Sequence, residues 1–216
     1  MGVLLMLATI GVVFVAAVLL IVAVWKKIEW LRKFVLGGAT VWIAFYVVLL
    51  LGSSLLSEEK MLALNEPKAF CGFYLDCHMH ATVSGVRKTK TIGDKTAKGE
   101  FYIVTVQIFS DAKRVDLGLL APKLFVIDEN GKAYSRVEDA ENPGPPFDKK
   151  IPAGGSFEKE VVFDLPADVK GARLDVAEGI GIDKAIEFVL VGDEDSFLHK
   201  RSYFKLEPQM QTANLK

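Results

Sequence analysis

Two uncharged apolar runs, Val3–Trp25 and Phe34–Leu56, open the chain, with only eight residues between them. Each is long enough to cross a bilayer as a helix, which takes about 20 residues. A secretory signal would carry basic residues ahead of a shorter apolar core and a small-residue cleavage site behind it. Here the apolar run begins at residue 2 and the basic residues follow it, which predicts an uncleaved span. The connector Lys26-Lys27-Ile28-Glu29-Trp30-Leu31-Arg32-Lys33 holds all the positive charge of this part of the chain. By the positive-inside rule it is cytoplasmic, with Trp25 and Trp30 at the interface and both termini on the outer side. Neither span contains an acidic, basic or histidine side chain, so the reading is an anchor and not an ion pathway. Gly37, Gly38 and Ala39 are expected to let the two helices pack closely.

The formal net charge of −1 conceals an asymmetry. Of 26 Lys/Arg and 27 Asp/Glu, the first 56 residues hold four and one, which leaves 22 basic and 26 acidic residues beyond them. That remainder is mildly acidic and has no basic stripe for nucleic acid. At roughly 150 residues it is long enough for a real core without disulfide stapling.

Beyond the spans, 57–70 reads as a juxtamembrane linker, 71–208 as one extracytoplasmic domain and 209–216 as a frayed tail. From Cys77 the pattern is mainly two-residue alternation, with Met79, Ala81 and Val83 on one face and His78, His80, Thr82 and Ser84 on the other. Arg87–Glu100 is charged and predicts a long hairpin connection. Phe101–Ser110 is the clearest strand, with Tyr102, Val104, Val106 and Ile108 sharing a face. Strands are also expected within Leu119–Asp128, at Lys132–Ser135 after an Asn130-Gly131 turn, at Phe157–Leu165, at Ala172–Val176 and at Phe197–Leu206. Ile182–Leu190 is read as a helix capped by Asp183, with another strand as the alternative. Short strands separated by turn signals predict an antiparallel β-sandwich.

The passages Gly99-Glu-Phe-Tyr-Ile-Val-Thr-Val-Gln-Ile, Phe125-Val-Ile-Asp-Glu-Asn-Gly-Lys-Ala-Tyr, Pro152-Ala-Gly-Gly-Ser and Val162-Phe-Asp-Leu-Pro resemble a bacterial family of membrane-anchored, extracytoplasmic immunoglobulin-like (telokin-like) domains. The shared pattern is a long strand, a D-x-x-G-x-x-Y hairpin, a Pro-Gly-type turn and a V-F-x-x-P strand, spanning roughly Val83–Val176. Where that pattern has an Asn-containing turn after the long strand, this chain has Ser110-Asp111. The resemblance implies an immunoglobulin-like sandwich and no catalytic residues, and it says more about fold than about activity.

Cys71-Gly-Phe-Tyr-Leu-Asp-Cys-His-Met-His80 lies outside that pattern and holds both cysteines and two of the three histidines. Outside the cytoplasm, Cys71 and Cys77 can close a small disulfide loop. A metal site is the alternative, with Cys71, Cys77, His78, Met79 and His80 as ligands, joined by His199 if the last strand pairs beside them. Thiolate, imidazole and thioether together select copper over hard cations. The donor set is similar to that of cupredoxin-type centres, although the Cys-x5-Cys-His spacing departs from theirs. On a regular strand Cys77 and Met79 point away from the histidines, so this site needs a bulge or loop. Reduced, unligated thiols are the third state. Asp193, Glu194 and Asp195 match no calcium loop and read as a solvated turn.

Three functional readings follow. The first is a non-enzymatic interaction module on the bacterial inner membrane, facing the periplasm and a protein partner there or in the bilayer. The second is copper handling or electron transfer, and the third a thiol–disulfide sensor cycling Cys71 and Cys77. No phosphate loop, G-x-S-x-G or HExxH motif supports an enzyme.

Overall fold

The computed structural model describes residues 2–71, 77–179 and 181–207, with Ile182 and Asp183 described by backbone alone. Gly72–Asp76, within the Cys71–His80 segment, and the tail expected at 209–216 lie outside the described residues, as does the capping side chain expected of Asp183. The chain forms two compact units. One comprises residues 1–58 and 182–201, the other residues 59–181 and 202–216.

In the first unit, helices α1 (Gly2–Trp25) and α2 (Glu29–Leu55) are both long and apolar enough to cross a membrane. The turn between them is only Lys26–Ile28, with Lys27 at φ 55°. Glu29–Lys33, expected in the connector, instead form the first turn of α2, where Glu29 pairs with Arg32 at 2.9 Å. The less exposed residues recur every three or four positions: Leu5, Thr9, Val12, Ala16, Leu20 and Ala23 on α1, and Val35, Ala39, Trp42, Tyr46 and Leu50 on α2. This is the periodicity of a helix with one packed face. Trp42 Nε1 donates to Thr9 Oγ1 at 3.2 Å, and Thr9 donates onward to Leu5 O at 2.8 Å, so these polar groups are satisfied internally. The expected glycine contact is corrected: a Cβ at Gly37 or Gly38 would meet nothing within 4 Å, and Ala39 holds the inner face instead.

The second unit is a β-sandwich. Its four-stranded sheet is antiparallel, in the order β2 (Lys68–Phe70), β3 (Met79–Ile92), β4 (Lys95–Ser110), β7 (Ser156–Leu165). Its five-stranded sheet runs β1 (Lys60–Leu62), β9 (Ser202–Lys205), β8 (Arg173–Ala177), β5 (Lys123–Ile127), β6 (Ala133–Ser135), with β1 and β9 parallel and the other pairs antiparallel. Alternate residues of β4 and β7 face inward (Tyr102, Val104, Val106, Ile108, Val161, Phe163 and Leu165) against Leu124, Val126, Leu174, Val176 and Phe204 of the other sheet. Each such fully buried aliphatic or aromatic side chain contributes about 1.5–3 kcal/mol of transfer free energy.

Phe101, Ile103 and Val162 point the opposite way and are nonetheless buried, in a second cluster with Ala97 and Ala140. A 3-10 turn at Glu138–Ala140 supplies Ala140 to that cover. This turn is therefore part of the packing. The D-x-x-G-x-x-Y hairpin has a clear physical basis. Asp128 Oδ1 accepts the amides of Asn130 and Lys132 at 2.9 Å each, Oδ2 accepts the Tyr134 hydroxyl at 3.1 Å, and Gly131 takes φ 80°. The Lys132 amide and the Tyr134 and Asn130 bonds hold the Asp128 carboxyl below its ordinary range, against a smaller opposing effect of burial.

Three expectations are revised. The linker 57–70 contains β1 and β2, because Leu62 and Phe70 reach the core. Arg87–Glu100 is no long connection: β3 and β4 pair down to Ile92↔Lys95, leaving a two-residue turn whose Gly93 has φ 58°. The last strand starts at Ser202, since Leu198 takes φ 63° and residues 197–201 belong to the other unit.

Candidate functional site: a disulfide beside a His–Asp–His cluster

Cys71 and Cys77 are joined by a disulfide. Cys71 follows β2 and Cys77 stands two residues before β3, so the bridge ties together the ends of two strands already paired through Phe70↔Met79. Bonded sulfurs are not thiolates and offer no soft anionic ligand in this state. Met79 is buried in the core cluster on the inner face of β3, whereas His78 and His80 converge outside the core on Asp111. Cys77–His80 thus does not bring thioether and imidazole to one point. His199 lies in the other unit, where its Nδ1 donates to Lys200 O at 2.9 Å.

The structure adds Asp111 to the two strand histidines. His78 Nδ1 stands 2.5 Å from Asp111 Oδ1, and because a carboxylate only accepts, that nitrogen carries the proton. His80 Nε2 lies 3.4 Å from Asp111 Oδ2. The Asp111 amide also donates to His78 O at 3.1 Å, extending the ladder one step past Met79↔Ser110. The hydrogen bond from His78 is the largest influence on the Asp111 carboxyl; with the nearby His80 it outweighs desolvation and lowers the pKa from its ordinary value. His80 stacks on its cross-strand partner Phe109, with ring centroids 4.9 Å apart, and among the described residues its buried Nδ1 has no hydrogen-bond partner. Two imidazoles and one carboxylate, with His78 and Asp111 exposed and His80 half-buried, suit a hydrogen-bonded contact surface or a borderline divalent cation.

A second polar cluster belongs to the other unit. Helix α3 (Ile182–Glu187) places Lys184 Nζ 2.7 Å from Glu187 Oε2 and 2.5 Å from Asp195 Oδ2. Arg201 Nη2 lies 3.5 Å from Asp195 Oδ1. The solvated acidic turn expected at 193–195 is corrected accordingly, since Asp195 is an ion-pair partner. Glu187, Asp193 and Asp195 stand close enough together for one cation, and the Lys184 ammonium already contacts two of them. Burial pushes the Glu187 carboxyl up to about 7 despite Lys184. Burial also raises Asp193, whereas Lys184 is raised because its two carboxylates outweigh the effect of burial.

A groove of about 730 Å³ on the sandwich is lined by Arg136, Glu141, Phe147 and Lys159 among others. Two of its basic groups, Arg136 and Lys159, are engaged internally. Arg136 forks onto Glu141 at 2.8 and 2.5 Å, and Arg136 and Lys159 each lie 5.3 Å from the centroid of Phe147.

No protein-family model matches the chain, and no curated protein matches it. Among solved structures it is similar to a secreted protein of Mycobacterium tuberculosis, MPT63, at 11% identity and TM-score 0.44, covering 68% of this chain and 98% of that one. It is also similar to the yjhA protein from Bacillus subtilis, at 17% identity and TM-score 0.45, covering 68% and 100%. A third likeness is to an uncharacterized β-sandwich protein from Clostridium difficile, at 13% identity and TM-score 0.38, covering 70% and 97%.

Proposed function

We propose that the chain is a membrane-anchored interaction module whose sandwich lies outside the cytoplasm and presents the His78–Asp111 surface to a protein partner. The observation that carries this reading is the Cys71–Cys77 bridge beside two exposed, hydrogen-bonded polar side chains. Disulfides persist in oxidising compartments, which supports the bacterial periplasm or cell exterior. The basic turn between two apolar helices supports anchoring in the inner membrane with both termini outside. A bridge holding the β2 and β3 ends in place pre-organises that surface, which lowers the ordering cost of binding.

The test is photo-crosslinking in native membranes with benzoylphenylalanine at position 78, and at Lys170 on an exposed turn as control. The expected result is a discrete adduct from position 78 that is absent from position 170 and weakened by Asp111→Asn. No adduct at position 78 overturns the partner reading.

The convergence of His78 and His80 on one carboxylate favours a second reading, a zinc or copper(II) site at His78, His80 and Asp111. Titration with each metal is expected to saturate at one ion per chain, with affinity at least about tenfold weaker in His80→Ala. Equal binding by the two proteins rules the site out.

A further inference from the structure

We propose that the excursion Ile182–Arg201 is a lipid-inserted element that seats Phe188, Val189, Phe197 and Leu198 in the outer leaflet beside the hairpin. This inference rests on the membrane-anchor reading and assigns that anchor a second lipid contact, apart from its two helices.

The excursion leaves the sandwich after β8 and returns at β9, and between them it packs with the hairpin. Two hydrogen bonds fix its position along α2, and a third holds it just past the helix end. Val189 O accepts the Tyr46 hydroxyl at 2.6 Å, the Ser196 and Ser54 hydroxyls meet at 3.3 Å, and Lys200 N donates to Ser57 Oγ at 2.9 Å. At the start of α1, the backbone of Val191 comes so close that a Cβ on Gly2 would meet its carbonyl oxygen at 2.2 Å. Tyr46 precedes the last residue of α2 by nine positions, or about 13 Å at the helical rise. Val189 therefore lies at a level well inside the apolar run of α2.

Between that level and the end of α2 the excursion turns apolar side chains outward. Phe188 is 50%, Val189 42%, Phe197 40% and Leu198 58% exposed. The Phe188 and Phe197 rings lie 5.3 Å apart, and Phe197 N donates to Phe188 O at 2.9 Å, so the two ends of the loop form one patch. Like the exposed apolar residues of α1 and α2, these side chains need cover, and the occupant that covers both is lipid. The excursion's charges are arranged for a low dielectric. Lys184 lies between Glu187 and Asp195, and Glu187 is only 2% exposed. Buried charge needs such pairing. Aromatic and aliphatic side chains on a short polar-cored element are the composition of interfacial anchoring.

The test uses the full chain in phosphatidylcholine nanodiscs, in a Trp25→Phe, Trp30→Phe, Trp42→Phe background with one reporter tryptophan. Phe197→Trp and, separately, Phe188→Trp report on the excursion, and Val13→Trp reports on the hairpin. Lipids brominated near the headgroup end of the acyl chain are expected to quench the Phe197 and Phe188 reporters at least twofold, with acrylamide quenching them weakly. If Val13→Trp is quenched by brominated lipid while both excursion reporters respond only to acrylamide, the insertion is overturned and the anchor stands. If Val13→Trp also responds only to acrylamide, both readings fall.

Discussion

His78 and Asp111 meet at the open end of the β3–β4 hairpin, Nδ1 to Oδ1 at 2.5 Å, although the turn joining those strands lies at Gly93–Asp94. Fourteen residues of β3 and sixteen of β4 intervene, so the full register of the hairpin decides whether this pair exists. The pair has a titration consequence. With the His78 hydrogen bond removed by His78→Ala, the Asp111 carboxyl should titrate closer to its ordinary value than in the unaltered protein. Carboxyl carbon chemical shifts followed against pH measure this, and an unchanged midpoint would show that the contact is not made in solution.

The bridge beside that pair closes a short loop, with a sequence separation of six. Constraining so short a loop in the unfolded chain stabilises the fold by about 2 kcal/mol in the chain-entropy account. Cys71→Ser with Cys77→Ser should therefore lower unfolding stability by about that amount. Denaturant titration of the full chain in nanodiscs, with and without reductant, checks it. The double variant should no longer respond to reductant, and a loss well under about 1 kcal/mol would mean that paired strands alone hold the loop.

Gly99 and Gly85 both sit in the β3–β4 pair, but a side chain at each has different consequences. A Cβ at Gly99 would meet the Leu165 carbonyl oxygen at 1.9 Å and its carbon at 2.7 Å, whereas at Gly85 the nearest atom is Thr105 Oγ1 at 3.6 Å. The Gly99 site is also tied down, because Asp164 accepts the amides of Lys98 and Gly99 at 2.9 and 3.0 Å. Gly99→Ala should cost about 2–3 kcal/mol, near the upper end for overpacking, and Gly85→Ala less than about 1 kcal/mol. Equal costs would place Gly99 farther from β7 than it stands here.

The two N-terminal helices are legible because their signal is local: neither run carries a charge, and a short basic stretch separates them. Strands such as Ser156–Leu165 were equally legible from alternation. Asp111 was not. Counting pairs outward from Ile92↔Lys95 places Phe109 and its neighbours two positions too early, since the register shifts twice, between Thr89 and Thr91 and between Val83 and Gly85. The inward residues of β3 step from Val83 to Val86 at one shift, but the other falls among the exposed and half-buried residues Thr89–Thr91, where alternation carries no burial signal. The excursion to the hairpin was missed for another reason. Phe197 and Leu198 are apolar and precede a true strand, so their pattern reads as part of that strand. The contact that explains them, Tyr46 to Val189, joins residues 143 apart in the chain.

Glu187 makes the stability of the hairpin unit pH-dependent, in the direction its burial dictates. Its carboxyl titrates near pH 7 when folded, against an ordinary value of 4.5. A raised carboxyl means that the folded state holds its proton to higher pH than the unfolded chain does. Stability is then fully present below about pH 4.5 and falls as pH rises toward 7, by up to about 3 kcal/mol. The groups that face it are Lys184, which stays protonated across that window, Asp195 with Arg201 behind it, and Asp193, whose own raised carboxyl adds to the same trend. Glu187→Gln removes the ionisation while keeping a group that can bond Lys184. The full chain in nanodiscs should melt at a lower temperature at pH 8 than at pH 5, and the variant should show a smaller difference. If both proteins lose the same stability between those two values, Glu187 keeps its charge when folded and Lys184 neutralises it fully.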